Sequence, residues 1–274
     1  MFAEDRSVLC HGLLSVVILS LGIAVGAVHA QNTLYDNFTQ NELDPAKWSS
    51  QQSGVGGLEL IRQPFFNRLV MSHRVVGATS NDLGQRSSRN QLRFVSGGSL
   101  TAIKFDVTVQ DFEVLGCEVP GSAISRSLAG FFGVFFNDGT STGPGDQTGD
   151  VNVFLFLYRT SISTDPEHLL RTEAGMIRCA NANCSLTQDI AILDLGTVAK
   201  GDSATLRISW DPNNQRMDFQ KNNDEVRSIV YALPAIAFRT YRVFDVRGDA
   251  ANCPSGPQPF ARVLAFIDNV YINP

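Results

Sequence analysis

Apolar residues recur at every second position through much of this chain. Nowhere after residue 30 do they hold helical spacing for three turns. Ile103, Phe105, Val107 and Val109 alternate with Lys104, Asp106, Thr108 and Gln110, the pattern of a strand with one buried and one wet face. Two segments depart from it. AGFFGVFF at 129–136 and VNVFLFLY at 151–158 are apolar on both faces, which predicts central strands covered on each side. The clearest hairpin runs from Ala204–Trp210 through Asp211-Pro-Asn-Asn-Gln215 into Arg216–Gln220, placing Leu206, Ile208 and Trp210 on one face with Met217 and Phe219. A second turn, Lys221–Glu225, leads into Val226–Tyr231. Short strands at such spacing predict an antiparallel sandwich or barrel. No repeat or linker divides the chain, so residues 31–274 read as a single β-sandwich domain.

The first thirty residues read differently. LLSVVILSLGIAVGAV, Leu13–Val28, carries no charge and ends in Val28-His29-Ala30 before polar Gln31-Asn32. It is shorter than the roughly 20 residues of a bilayer span and has the small residues of a cleavage site. Residues 1–30 are therefore expected to be a signal-peptide helix. The mature chain would be secreted, periplasmic or at the cell surface, without stable membrane insertion after cleavage. Glu4 and Asp5 in the leading MFAEDR offset Arg6, so an uncleaved anchor stays open.

Composition adds two exclusions. With 43% hydrophobic and 18% charged residues the chain has ample material for a core. A net charge of −5 gives no basic surplus for nucleic acid, which is not expected as a partner. Four cysteines follow the leader: Cys117, Cys179, Cys184 and Cys253. An even count in an exported chain reads as disulfides, with three connectivities open. The short polar loop from Cys179 to Cys184 suits a local bridge, which leaves Cys117 with Cys253. The rival is a zinc site of four cysteines, whose usual spacing this chain does not match.

Leu34-Tyr-Asp-Asn-Phe38 with Leu43-Asp-Pro-Ala-Lys-Trp48 resembles the opening strand of concanavalin A-like lectin/glucanase and laminin-G-like jelly rolls. Phe266-Ile-Asp-Asn-Val-Tyr-Ile272 resembles their closing strand. The mature chain is also similar to exported bacterial β-sandwich proteins of unassigned function, through His73-Arg-Val-Val-Gly77, Gly116-Cys117, Cys179–Cys184, Asp194-Leu-Gly-Thr197 and Leu206-Arg-Ile-Ser-Trp-Asp211. The resemblance implies an all-β antiparallel jelly-roll sandwich with neighbouring first and last strands. It would bring Asp36 and Asp268 together, where a structural calcium is one way to relieve their repulsion. The Asp/Gly-rich loop from Asn137 to Asp150 is a second source of hard oxygen ligands.

The glucanase branch carries Glu-x-Asp-x-x-Glu on one strand, and this chain has no such run. Its nearest acidic cluster is Asp106, Asp111, Glu113 and Glu118, where Asp111 and Glu113 share a face without a third carboxylate. His73 and His168 lack a Gly-x-Ser-x-Gly elbow or a third group to form a triad. Sugar binding needs aromatic platforms. Trp48 and Trp210 read as core, which leaves Tyr158 with Arg159, and Tyr241, as ligand-binding candidates beside Asp106 and Asp111. The expectation is a non-catalytic exported sandwich that binds a glycan or another surface macromolecule. The alternatives are a divergent glycan hydrolase or lyase, and a purely structural surface or matrix protein.

Overall fold

The structure, a computed structural model, describes residues 33–273, so the expected signal peptide lies outside the described residues. The first strands are β1 (Thr33–Asp36), β2 (Trp48–Gly54), β3 (Gly57–Pro64), β4 (Leu69–Val76), β5 (Gln85–Phe94) and β6 (Ala102–Leu115). Next come β7 (Arg126–Asn137), β8 (Asp150–Thr160), β9 (Leu169–Cys179) and β10 (Thr187–Ala199). The last six are β11 (Ser203–Asp211), β12 (Arg216–Lys221), β13 (Arg227–Val230), β14 (Ala237–Phe238), β15 (Arg242–Ala251) and β16 (Phe260–Ile272).

They form two antiparallel sheets. The first runs β13-β12-β11-β6-β16-β4-β3, with β1 added to β16. The second runs β10-β9-β8-β7-β15-β5-β2, with β14 added to β7. The fold is a jelly-roll sandwich. Alternation dictates its core. Ile103, Phe105, Val107 and Val109 of β6 are buried toward the second sheet, which answers with Phe131, Val153, Leu155 and Phe244. The hairpin of β11 and β12 pairs Ile208 with Phe219 and Trp210 with Met217, as its sequence pattern requires.

Both tryptophans are core anchors. Trp48 packs among Tyr35, Phe38, Phe94 and Phe244, and its Nε1 donates to Asp36 Oδ2 at 2.7 Å. Trp210 stacks on Phe136 and donates from Nε1 to the Tyr231 hydroxyl at 2.7 Å. Each buried indole thus keeps a partner for its one polar atom. Tyr231 is buried with it and offers no exposed platform.

Two disulfides are present. Cys117–Cys253 spans 136 residues and joins the segment after β6, in the first sheet, to the segment after β15, in the second. Cys179–Cys184 closes a five-residue step at the end of β9.

The terminal strands meet as the resemblance implies. Thr33 lies opposite Ile272 and Asp36 opposite Val270. Asn273 then ties the end down, its Oδ1 accepting from the Thr101 and Ala102 amides at 2.9 and 3.2 Å. A chain ending at Asp268 would lose buried Val270, that tie and the pairing of β1. With about 1.5–3 kcal/mol for the valine alone, a fall in Tm of at least roughly 3–12 °C is expected. Melting of the truncated protein at the full-length temperature would contradict it.

Candidate functional site

The two-sided apolar segments explain themselves once the sheets are placed. On β7 and β8 one face enters the core, and the other carries Phe132, Val134, Phe154 and Phe156 on the outward side of the second sheet. No third layer covers them among the described residues. They floor a cleft instead, so the expectation of strands covered on each side is corrected.

The cleft comprises a cavity of about 790 Å³ and a smaller one of about 140 Å³ that share Arg89, Phe132, Ile177 and Arg247. Its floor is set by strand register. Glu173 of β9 lies opposite Phe156 of β8, Phe156 opposite Gly130 of β7, Gly130 opposite Asp245 of β15, and Asp245 opposite Gln91 of β5. Two glycines make room for the rings. A Cβ at Gly130 would sit 2.2 Å from the Leu155 carbonyl oxygen, and one at Gly175 would sit 2.6 Å from the Phe154 ring. Phe154 and Phe156 are stacked, with centroids 5.6 Å apart.

Polar groups flank the rings. The Tyr241 hydroxyl donates to Gln91 Oε1 at 2.8 Å, and its ring lies against Phe132 and under the Arg93 guanidinium. Burial pushes the Tyr241 phenol above its usual pKa, with nearby Asp245 adding to the shift. Asp245 is itself fully buried, which raises its pKa despite Arg89 and Arg247. Asp249 is displaced the other way. Burial opposes its ionisation, but Arg247 and Arg126 outweigh that and hold the carboxyl below its usual range.

One wall is built from loops. Gly145, Asp146 and Gln147 face Asn183, Cys184 and Ser185 across the larger cavity. The Gln147 amide donates to the Ala182 carbonyl at 2.9 Å, and Asn152 Nδ2 approaches both sulfurs of the Cys179–Cys184 bridge.

The sequence candidates divide sharply. Tyr241 lines the larger cavity, and Tyr158 stands on the outward face of the same sheet, hydrogen-bonded to Glu173. Arg159 is not a free ligand group: its guanidinium donates to the carbonyls of Asp165, Pro166 and Leu169 at 2.8–3.0 Å and fixes the β8–β9 loop. Asp106 and Asp111 belong to β6 in the other sheet. Asp106 accepts from Thr205 and Asn269, whereas Asp111 pairs with Arg262 and Lys200. Sequence proximity drew these acids together, but sheet order separates them from the cleft.

Asp36 and Asp268 are near one another without forming a built metal site. Asp36 accepts from the Phe38 amide on one oxygen and from the Trp48 indole on the other. Burial raises the Asp268 pKa, and Asp106 and Asp36 add to it. In the Asp/Gly-rich loop, Asp146 accepts from both Thr142 and Thr148. Among the described residues no three His, Cys, Asp or Glu groups gather as metal ligands. The donors present do not fit the calcium that the resemblance implies.

Glu173 gives a pH signature. Burial raises its pKa in the fold, with the Tyr158 hydrogen bond opposing. The native state therefore holds this proton above the unfolded carboxylate range of about 4, and the group's contribution to stability falls as pH rises through the folded pKa. Urea midpoints of the wild type, relative to Glu173→Gln, should decline as the pH rises above the unfolded carboxylate range of about 4. Parallel curves would contradict it.

No family model and no curated protein matches the chain. Solved structures do. The chain is similar to LamAcat from Zobellia galactanivorans, at 12% identity over 86% of this chain and 98% of that one, with a TM-score of 0.43. It is similar to the Bacillus licheniformis β-glucanase at 11% identity, 87% and 97% coverage and a TM-score of 0.44. A third is the carbohydrate-binding module CBM66 from Bacillus subtilis, at 9% identity, 82% and 93% coverage and a TM-score of 0.35. The structural neighbours are concanavalin A-like jelly-roll proteins.

Proposed function

We propose that this chain is an exported glycan-binding sandwich that holds its ligand in the cleft on the outward face of the second sheet. The observation that carries this reading is the cleft floor. Half-buried Phe132, Phe156 and Tyr241 offer apolar faces to sugar C–H groups, and Gln51 and Asn152 line the larger cavity with amides for hydroxyls. Disulfides and the expected signal peptide support an extracellular place for it.

A second reading, glycan hydrolysis, is favoured by one specific feature. Glu173 and Asp245 share a register row on the cleft floor, and burial raises both carboxyls. Two assays separate the readings. Retention on a polysaccharide column without release of reducing ends supports the binder. Reducing-end release that Glu173→Gln and Asp245→Asn each abolish, with the fold intact, supports the hydrolase. Neither retention nor release defeats both.

A further inference from the structure

We propose that the cleft is selective for acidic polysaccharides, through carboxylate or sulfate groups seated on its arginines. This rests on the glycan-binding reading and names the substrate class of the same site.

The chain as a whole is acidic, at −5, yet the floor of this cleft carries partly exposed guanidinium groups backed by buried carboxylates. Arg89, Arg93, Arg126 and Arg247 stand on three neighbouring strands, β5, β15 and β7. The side chains of Arg89, Arg126 and Arg247 are 29%, 36% and 19% exposed, whereas Asp245 and Asp249 beside them are only 1% exposed. The carboxylates are thus a buried backing and the arginines are the surface. Asp249 holds two of them at once, accepting from Arg247 Nε at 2.8 Å and from Arg126 Nε and Nη2 at 3.1 and 2.9 Å. Among the described residues the terminal nitrogens of Arg247 and Nη1 of Arg126 make no hydrogen bond.

The other two are freer still. Arg89 approaches Asp245 only to 3.8 Å, and Arg93 has no carboxylate partner among the described residues. Both lie against rings, Arg89 over Phe132 and Arg93 over Tyr241, which positions the planes without using their N–H groups. Arg239, at the far end, donates from Nε to Asp150 and keeps its terminal nitrogens. A guanidinium fork matches a planar carboxylate or two oxygens of a sulfate, and such charge-assisted pairs are the strong ones. A neutral glucan would leave these donors to water. Glu173, across the row on β9 and near Arg126, and Asp146, on the loop wall, are the partly exposed acids among the cleft's lining residues.

The test is a binding titration of the full exported chain against polygalacturonate, a sulfated galactan, neutral laminarin and a single-stranded DNA oligomer. Uronate and sulfate are distinguished by which of the first two binds tighter. The expected result is at least about tenfold preference for one acidic polysaccharide over laminarin, lost on raising salt from about 50 to about 300 mM. Arg93→Gln and Arg247→Gln should each weaken that binding about fivefold or more, with Arg216→Gln on the first sheet as an unchanged control. Equal binding of laminarin, untouched by the variants, overturns the acidic preference and leaves the glycan-binding reading standing. DNA bound as tightly as the polysaccharides overturns it too, and no binding to any polymer overturns both.

Discussion

Replacing Cys117 and Cys253 together by alanine is expected to lower stability by about 4–5 kcal/mol, a fall in Tm of roughly 10–20 °C. The bridge closes a loop of 136 residues and ties one sheet to the other, so its loss frees a large part of the unfolded chain. The contrast lies in the second bridge. Cys179 and Cys184 are five residues apart, and the same entropy relation gives only about 2 kcal/mol for removing it. That loop walls the cleft, however, through the contacts of Gln147 with Ala182 and of Asn152 with the sulfurs. The local double variant should therefore weaken ligand binding more than it weakens the fold. Chemical denaturation of both variants, with a polysaccharide titration of the second, decides this, and equal stability losses or unchanged binding by the second would contradict it.

The second large effect is expected at the cleft floor. Phe156→Ala should reduce polysaccharide affinity by about thirtyfold or more, the loss of a central aromatic anchor. Phe156 is only half buried and stacks on Phe154, so the variant should remain folded. Phe112→Ala on the first sheet, where the ring packs against the core, should cost stability without changing affinity for intact protein. Affinity electrophoresis with melting curves separates the outcomes. Unchanged affinity in Phe156→Ala would remove the cleft from the account.

Much of the fold was legible because its signals are local. The alternation of Ile103–Gln110, the Asp211–Gln215 turn and the paired terminal motifs each predict an element from its own residues, and β6, β11–β12 and β1–β16 follow them. The cleft was not legible for the opposite reason. Glu173, Phe156, Gly130, Asp245 and Gln91 come from five strands, and only register across the sheet puts them in one row. One trace of it did exist in the sequence. Outward-facing phenylalanines on β7 and β8 look identical to buried ones in a periodicity pattern, so apolar on both faces reads as covered when it also describes the floor of an open cleft. Asp106 and Asp111 sit together in the chain, and their strand lies in the other sheet.

The central claim is that the ligand lies on the outward face of the second sheet, and side-chain amide signals report on it directly. A titration with a short oligosaccharide of the tightest-binding polysaccharide should move the amides of Gln51 and Asn152, which line the cleft, and of Gln91, which is buried and hydrogen-bonded to Tyr241. It should leave Asn269, bonded to Asp106 on the first sheet, where it was. Shifts confined to Asn269 and its neighbours, with those three amides unmoved, would place the ligand on the wrong sheet and contradict the account.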